Sequence, residues 1–353
     1  MSKEYFSNGN LYLPEEYHPV LDLRETEEAI HFIKNNFQEK LAAELNLHRV
    51  SAPIFVPQKT GINDYLSGIE KPVQFQISCI DETAEVIQSL AKWKRQALKD
   101  YCFISGEGLY TDMNAIRPDE EALDNLHSVY VDQWDWERII AQNERNLNVL
   151  KYIVRKIYNV IKNMERLVCR KYPLLPKEFL SNAITFIHSE ELEELYPDLT
   201  PRERENEICR EKGSVFIIGI GANLKNGKPH DARATDYDDW ITETGENRHG
   251  LNGDILVWYP LLNCAVELSS MGIRVDKNAL LRQISLRNEE YKINLPFHQR
   301  IINEELPLSI GGGIGQSRLC MLFLRKCHVG EVQASIWSED MIAKCKEKNI
   351  ILL

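Results

Sequence analysis

The sequence predicts an α/β chain of the α+β kind, one sheet flanked by helices. Three patterns carry this. Residues 127–137 alternate with a period of two; apolar runs at 255–259 and 264–268 bracket a turn near Pro260; and apolar residues recur every three or four positions over 26–45 and 138–171. The first two patterns are strands, and the third gives helices long enough to cover a sheet. A chain of 353 residues allows about two domains. No repeat, Ser/Gly linker or composition break divides it, so a single domain over 21–353 is expected behind an arm at 1–20.

The arm is rich in Asn, Pro, Glu and Tyr and reads as extended. The stripe Ile30, Ile33, Phe37 and Leu41 predicts a helix over Thr26–Leu45 ending at Asn46, then a strand at Val50–Pro53. Alternation predicts a strand over Val73–Ile80, with a helix over Glu85–Leu98 behind it. Within 127–137, Val129, Val131, Gln133, Asp135 and Glu137 share one face, and Tyr130, Asp132, Trp134 and Trp136 share the other. The stripe from Leu150 through Val154, Ile157, Ile161 and Met164 to Val168 predicts one helix over Arg138–Lys171, about 50 Å long if unbroken. Strands are expected at Ile184–His188 and Val215–Ile220, a long loop over 226–252, and a last helix over Gln316–Lys326.

Composition excludes several function classes. The apolar stretch from Ile255 to Val266 carries Pro260 and falls short of the roughly 20 residues of a membrane span. Met1-Ser2-Lys3-Glu4 begins no apolar signal segment. The net charge of −11 argues against a broad nucleic-acid face but leaves room for a cleft that gathers a few cations around a small anion. The eight cysteines form no CxxC pair or zinc-type cluster, which suits reduced thiols and a cytoplasmic location.

The sharpest motif is Gly311-Gly312-Gly313-Ile314-Gly315-Gln316-Ser317-Arg318 before an apolar helix. A dinucleotide fingerprint needs a βαβ unit and an acid about 20 residues on, and too little chain remains for one. A P-loop needs Gly-Lys-Ser/Thr, which is absent. Two readings stay open: a tight glycine turn before a core helix, or a backbone that a flat or phosphate-bearing ligand can approach closely. In the second, Arg318 lies one turn into the helix, where it can cover adenine or pair with phosphate.

The Gly-x-Gly-x-Gly-x-x-Arg pattern resembles motif 3 of the class II aminoacyl-tRNA synthetases. Two further segments match that family in order. The first helix and Leu47-His48-Arg49-Val50-Ser51-Ala52-Pro53 resemble motif 1, which builds the family's dimer interface. Arg117-Pro118-Asp119-Glu120, a loop and the strand His127 to Glu137 resemble motif 2, whose arginine grips the α-phosphate and the reacting carboxylate. Glu267 to Arg274 resembles the strand before motif 3 in the aspartyl and asparaginyl enzymes. One departure is that Val129-Tyr130-Val131 stands where Glu-Phe is usual, so adenine contacts would come from backbone near Val131. The strings Ser89 to Gln96, Gly106 to Thr111, His127 to Arg138, Asp236 to Trp240, Leu251 to Trp258 and Glu267 to Val275 resemble the ammonia-dependent asparagine synthetases, a class II core without a tRNA-reading module.

The resemblance implies a mainly antiparallel sheet flanked by helices, a homodimer, and a reaction of L-aspartate, ATP and ammonia with Mg²⁺. It implies no nucleic acid and no membrane partner. Arg117 and Arg318 would then bind ATP together with Gly313, Gly315, Val131 and Tyr237, and Mg²⁺ would sit on Glu267 and Asp254. Arg274 would take the non-reacting carboxylate of aspartate; Lys94 could neutralise either carboxylate, and Ser89 and Ser270 would offer hydroxyls near these groups. Asp64, Gln133 and Asp135 are candidates for holding the substrate ammonium, and Asp238, in an acidic loop, could attract ammonium or bind metal. Bland alternatives stand beside these roles: Arg117 capping a turn, Glu267 in a buried ion pair, Asp64 and Asp238 as loop acids. For Lys92, on the helix with Lys94 and Arg95, a solvated face is expected. The rival functions are aspartyl- or asparaginyl-type tRNA charging and a non-catalytic paralogue that binds amino acid or nucleotide.

Overall fold

The computed structural model describes residues 9–66, 70–120, 122–245 and 247–353. The first eight residues of the arm, and 67–68 of the expected Asn63 to Gly68 loop, lie outside the described residues. Helix α1 (Leu23–Leu45) starts on a reciprocal capping box between Asp22 and Glu25 and ends at Asn46 in the left-handed region. Strand β1 (Leu47–Arg49) follows, then a small antiparallel sheet of β2 (Phe55–Pro57), β3 (Gln74–Ile77) and β4 (Glu82–Val86). Next come α2 (Ala91–Asp100), the hairpin β5 (Gly108–Ile116) and β6 (Tyr130–Ile139), and α3 (Leu147–Lys171). The chain continues through β7 (Thr185–His188), α4 (Ser189–Leu195), α5 (Pro201–Lys212) and β8 (Ser214–Ile218). A ribbon of β9 (Glu243–Gly245) and β10 (Arg248–His249) leads into the hairpin β11 (Asn252–Tyr259) and β12 (Cys264–Ile273). Helices α6 (Lys277–Arg287) and α7 (Pro296–Ile302), strand β13 (Ser309–Gly315), α8 (Gln316–Phe323) and α9 (Glu339–Glu347) complete it.

The main sheet has eight strands in the order β1-β5-β6-β13-β12-β11-β8-β7. Its five inner pairings are antiparallel, and only the outermost, β1 on β5 and β7 on β8, are parallel. One face is wholly covered by α1, α3 and α8, whose apolar stripes meet Trp134, Trp136, Ile255, Met271, Ile310 and Ile314 in one core. Phe37 of α1 stacks on Trp134 with ring centroids 4.5 Å apart. Truncating an aromatic buried this fully costs about 3–5 kcal/mol. On the other face α5 covers the β8–β11 end around Val215, Ile217 and Leu256, and α2 covers the β5 end around Leu109. Between them the middle of the sheet is bare. That gap is the cleft.

Several expected boundaries are corrected. The strand expected at Val50–Pro53 lies at Leu47–Arg49; its ladder with β5 ends after Val50 N–H donates to the Tyr110 carbonyl, and Pro53 has no donor to extend it. Val73–Ile80 is only the first arm of a hairpin that turns at Asp81 and returns as β4, so the helix expected from Glu85 begins at Ala91. The long helix is shorter at its start: Arg138 and Ile139 still pair with Ile310 and Ser309, and Asn146 caps the helix through Val149 N–H. The last helix stops at Phe323, two residues before Arg325 turns left-handed. The glycine run forms neither a turn nor a loop but the central strand β13. Among the described residues no helix is long and apolar enough to cross a membrane.

Candidate active site

The floor of the cleft is β13, flanked by β6 and β12. Register places Gly311, Gly313 and Gly315 opposite Glu137, Asp135 and Gln133 of β6, and Gly311 and Gly313 opposite Gly272 and Ser270 of β12. None of these three β13 glycines has a positive φ, so conformation does not demand glycine here. Space does. A Cβ on Gly313 would lie 2.7 Å from Asp135 Oδ1, and one on Gly311 would lie 2.7 Å from the Arg274 guanidinium. Missing side chains are what open the floor.

Strand β12 supplies the far wall by an irregularity. Ser270 pairs with Asp254 and Ser269 with Ile255, but Leu256 pairs with Glu267, leaving Leu268 as an extra residue. This bulge changes the parity of the strand. Ser270, Gly272 and Arg274 face the cleft as even-numbered residues, and Glu267 faces it as an odd one. The near wall is α2, whose Lys94 reaches over β13, its Nζ 2.9 Å from both Asp135 Oδ2 and the Gly312 carbonyl. The resulting cleft holds about 390 Å³ and is lined by charge.

Along β6 the charges fall into a sequence. At the end nearest Tyr130, Arg117 leaves β5 with its N–H on the Val129 carbonyl and shares the cleft with Arg318 of α8. Burial, then the like charge of Arg318, lowers the pKa of Arg117, and its Nε has no partner. Gln133, Asp135 and Lys94 hold the middle. At the far end Arg274 donates from Nε and Nη2 to Glu137, at 2.7–3.1 Å, and from Nη1 to Asp238. Three of its five N–H groups are thereby used and two remain. Burial opposes ionisation of Glu137, but Arg274 outweighs it and holds that carboxyl below its ordinary range. Asp238 moves the other way: burial raises it, and Arg274 only partly offsets this.

Three buried carboxylates stand with an unpartnered oxygen: Asp64, Asp254 and Asp236, whose other oxygen meets Lys92 and His298. Asp64 is 2% exposed, its Oδ1 accepting Leu66 N–H while Oδ2 has no partner. Burial pushes it up to about 6, against the lowering pull of Lys92. Asp254 lies one strand behind Glu267, with Oδ2 2.5 Å from Arg233 and Oδ1 unpartnered. Burial pushes it up to about 7, against Arg233 and with help from Glu267.

Known proteins bear on this geometry. The pattern describing the aspartate-ammonia ligase family matches residues 24–349. The chain belongs to the aspartate–ammonia ligase family. It is 57% identical over 344 residues to the aspartate–ammonia ligase of Clostridium perfringens strain SM101, covering 97% of this chain and 99% of that one. The Bacteroides fragilis relative is 56% identical over the same shares, and the Pediococcus pentosaceus relative is 53% identical over 98% and 100%. In fold the chain is similar to asparaginyl-tRNA synthetases. That of Pyrococcus horikoshii, complexed with asparaginyl-adenylate, matches with TM-score 0.66 at 15% identity over 89% of this chain and 70% of its own. That of Entamoeba histolytica, also with asparaginyl-adenylate, matches with TM-score 0.62 at 14% identity over 88% and 66%. The chain thus spans about two thirds of those synthetases.

In this member of the aspartate–ammonia ligase family, fifteen of the sixteen residues singled out from sequence line the cleft. The sixteenth, Asp254, sits behind Ser270 and reaches the site through Arg233. Lys92 overturns its expected solvated face. It is 4% exposed, with Nζ 3.2 Å from both Asp236 Oδ2 and the Gly61 carbonyl. Helix α2 is turned so that Lys92, Lys94 and Arg95 point inward, Arg95 also donating to the carbonyls of Val275 and Pro307. Asp238 is buried against Arg274 and is no solvated loop acid. Reading by residue missed two members. Glu137 shares its strand face with Gln133 and Asp135, and that parity could have found it. Arg233 lines the cleft between Asp231 and Asp254, and nothing in its irregular loop marks it.

Proposed function

We propose that the chain makes L-asparagine from L-aspartate and ammonia, using ATP to form a β-aspartyl adenylate and releasing pyrophosphate and then AMP. The observation that carries this reading is the order of charge along β6: paired arginines, then an acid–amide–lysine cluster, then a third arginine. ATP places its α-phosphate by Arg117 and Arg318. Aspartate lies beyond it, its α-carboxylate on the free N–H groups of Arg274 and its ammonium among Asp64, Gln133 and Asp135. Lys94 neutralises the carboxylate that reacts.

The β-carboxylate oxygen attacks the α-phosphorus, the bond to pyrophosphate breaks, and negative charge grows on oxygens that the two arginines face. The acyl phosphate then carries a leaving group that a carboxylate lacks. Ammonia attacks the acyl carbon, the C–O bond to AMP breaks, and the nitrogen loses a proton to give the amide. Glu267 and the unpartnered oxygen of Asp254 fit Mg²⁺, which takes few protein carboxylates beside phosphate oxygens and water; among the described residues no group of three or more such ligands exists. When bound, the ion would shield phosphate charge. The same reading takes 21–353 as one catalytic unit, a cytoplasmic homodimer that uses no nucleic acid, in keeping with the net charge of −11.

The test is direct. Purified protein with aspartate, ATP, Mg²⁺ and ammonium, and no tRNA, should yield AMP and asparagine in equal amounts. Charging of tRNA without asparagine formation would favour the synthetase rival, and ligand binding without any product would favour the non-catalytic one.

A further inference from the structure

The arm at 9–22 makes contacts that packing alone does not require. Gly9 N–H donates to Asp124 Oδ2 at 2.8 Å, and Tyr12 and Asn125 exchange two hydrogen bonds, Tyr12 N–H to Oδ1 at 2.8 Å and Nδ2 to the Tyr12 carbonyl at 2.7 Å. Asn125 also donates to the Cys327 carbonyl at 2.6 Å and accepts Val329 N–H on its own carbonyl. The arm's Tyr17 hydroxyl donates to Glu331, which in turn accepts the N–H groups of Cys327 and His328. Asp124 and Asn125 are both fully buried. Asp124 Oδ1 accepts the N–H groups of Leu126 and His127. Leu126, His127, Ser128 and Val329 line the cleft beside Arg117 and Val131.

We propose that the N-terminal arm braces the loop at 122–129 and the turn at 327–331, and so shapes the nucleotide end of the cleft, with Asp124 and Asn125 as positioning residues. This rests on the nucleotide lying at the Arg117 end, as in the proposed function. The two residues hold the loop by one set of bonds and the arm by another, so the loop's position depends on both. Neither side chain lines the cleft; they act through the backbone of Leu126 to Ser128 and through the His127 ring, whose Nδ1 lies 2.9 Å from Asp124.

Two near-isosteric variants of the full chain separate a brace from a general stabiliser. Asp124→Asn can keep an acceptor for Leu126 and His127 but sets an amide donor against Gly9 N–H. Asn125→Asp keeps an acceptor for Tyr12 N–H but faces two carbonyls with a carboxylate. Calorimetric titration with ATP and Mg²⁺, without aspartate, should show each variant binding ATP about fivefold or more weakly, the scale of a lost hydrogen bond of about 1 kcal/mol. The KM for aspartate should hold within about twofold. Unchanged ATP affinity in both variants overturns the brace. So does an equal loss for ATP and aspartate together with a lowered melting temperature. A wild-type chain that binds no ATP would sink the functional reading itself, whereas a binding wild type with unaltered variants sinks the brace alone.

Discussion

Glu267 and Arg274 face one cleft although they lie seven positions apart along a single extended segment. A regular strand would put an odd separation on opposite faces. The extra residue Leu268 repairs the parity. Inserting one alanine between Ile255 and Leu256 of β11 should give Leu268 a partner, regularise the ladder and turn Glu267 to the opposite face, abolishing Mg²⁺-dependent adenylate formation. Leu268→Ala keeps the bulge, so it should lose stability, about 2–5 kcal/mol, while keeping measurable pyrophosphate exchange. Equal activities of the two variants would refute the parity argument.

Arg117 carries no hydrogen-bonded partner at Nε and faces Arg318 across the cleft. Arg117→Ala should cut aspartate-dependent ATP–pyrophosphate exchange by about 10²–10³, the scale of a donor lost from developing charge. Exchange at the wild-type rate would remove Arg117 from the reaction.

Gly313→Ala places a methyl group where Gln133 and Asp135 approach the floor. The KM for aspartate should rise at least tenfold, equal to about 1.4 kcal/mol, with pyrophosphate exchange recovering at saturating aspartate. Initial rates over a range of aspartate concentrations decide it, and an unchanged KM would place aspartate elsewhere.

Asp64, at about 6, should give kcat/KM for aspartate an acid limb, because only the ionised form attracts ammonium. The positive charge of Lys92 lowers that pKa, so Lys92→Met should shift the limb to higher pH, and Lys92→Arg should leave it near its place. Stability runs the other way. A carboxyl whose folded pKa is raised, as for Asp64 and Asp254, favours the fold at low pH and loses that contribution as pH rises through about 6 to 7. Rate profiles and melting curves over pH 5 to about 8 test both signs.

Sequence made the strands of the site legible wherever alternation was strict. Gln133 and Asp135 shared a face by period, with Trp134 and Trp136 on the other, and the structure puts the first pair in the cleft and the second in the core. Arg117, Arg274 and Arg318 came from the ordered motifs. What escaped reading depends on register. The bulge at Leu268 exists only against β11, and the glycine run is a strand only because β6 and β12 flank it. Lys92 escaped for a related reason, since a basic helix face looks solvated until buried Asp236 is known to lie opposite it.

The floor of the cleft is peptide backbone, its ladder bonds spent on β6 and β12. Such a surface records no side-chain identity, so natural variation has nothing there to trim. A descendant that accepts a longer acid, or a rebuilt enzyme meant to, must find its new room in the walls, at Gln133, Lys94 or the Asp236–Asp239 loop. Substitution can only make the floor shallower, and that asymmetry confines the substrates this fold can come to accept.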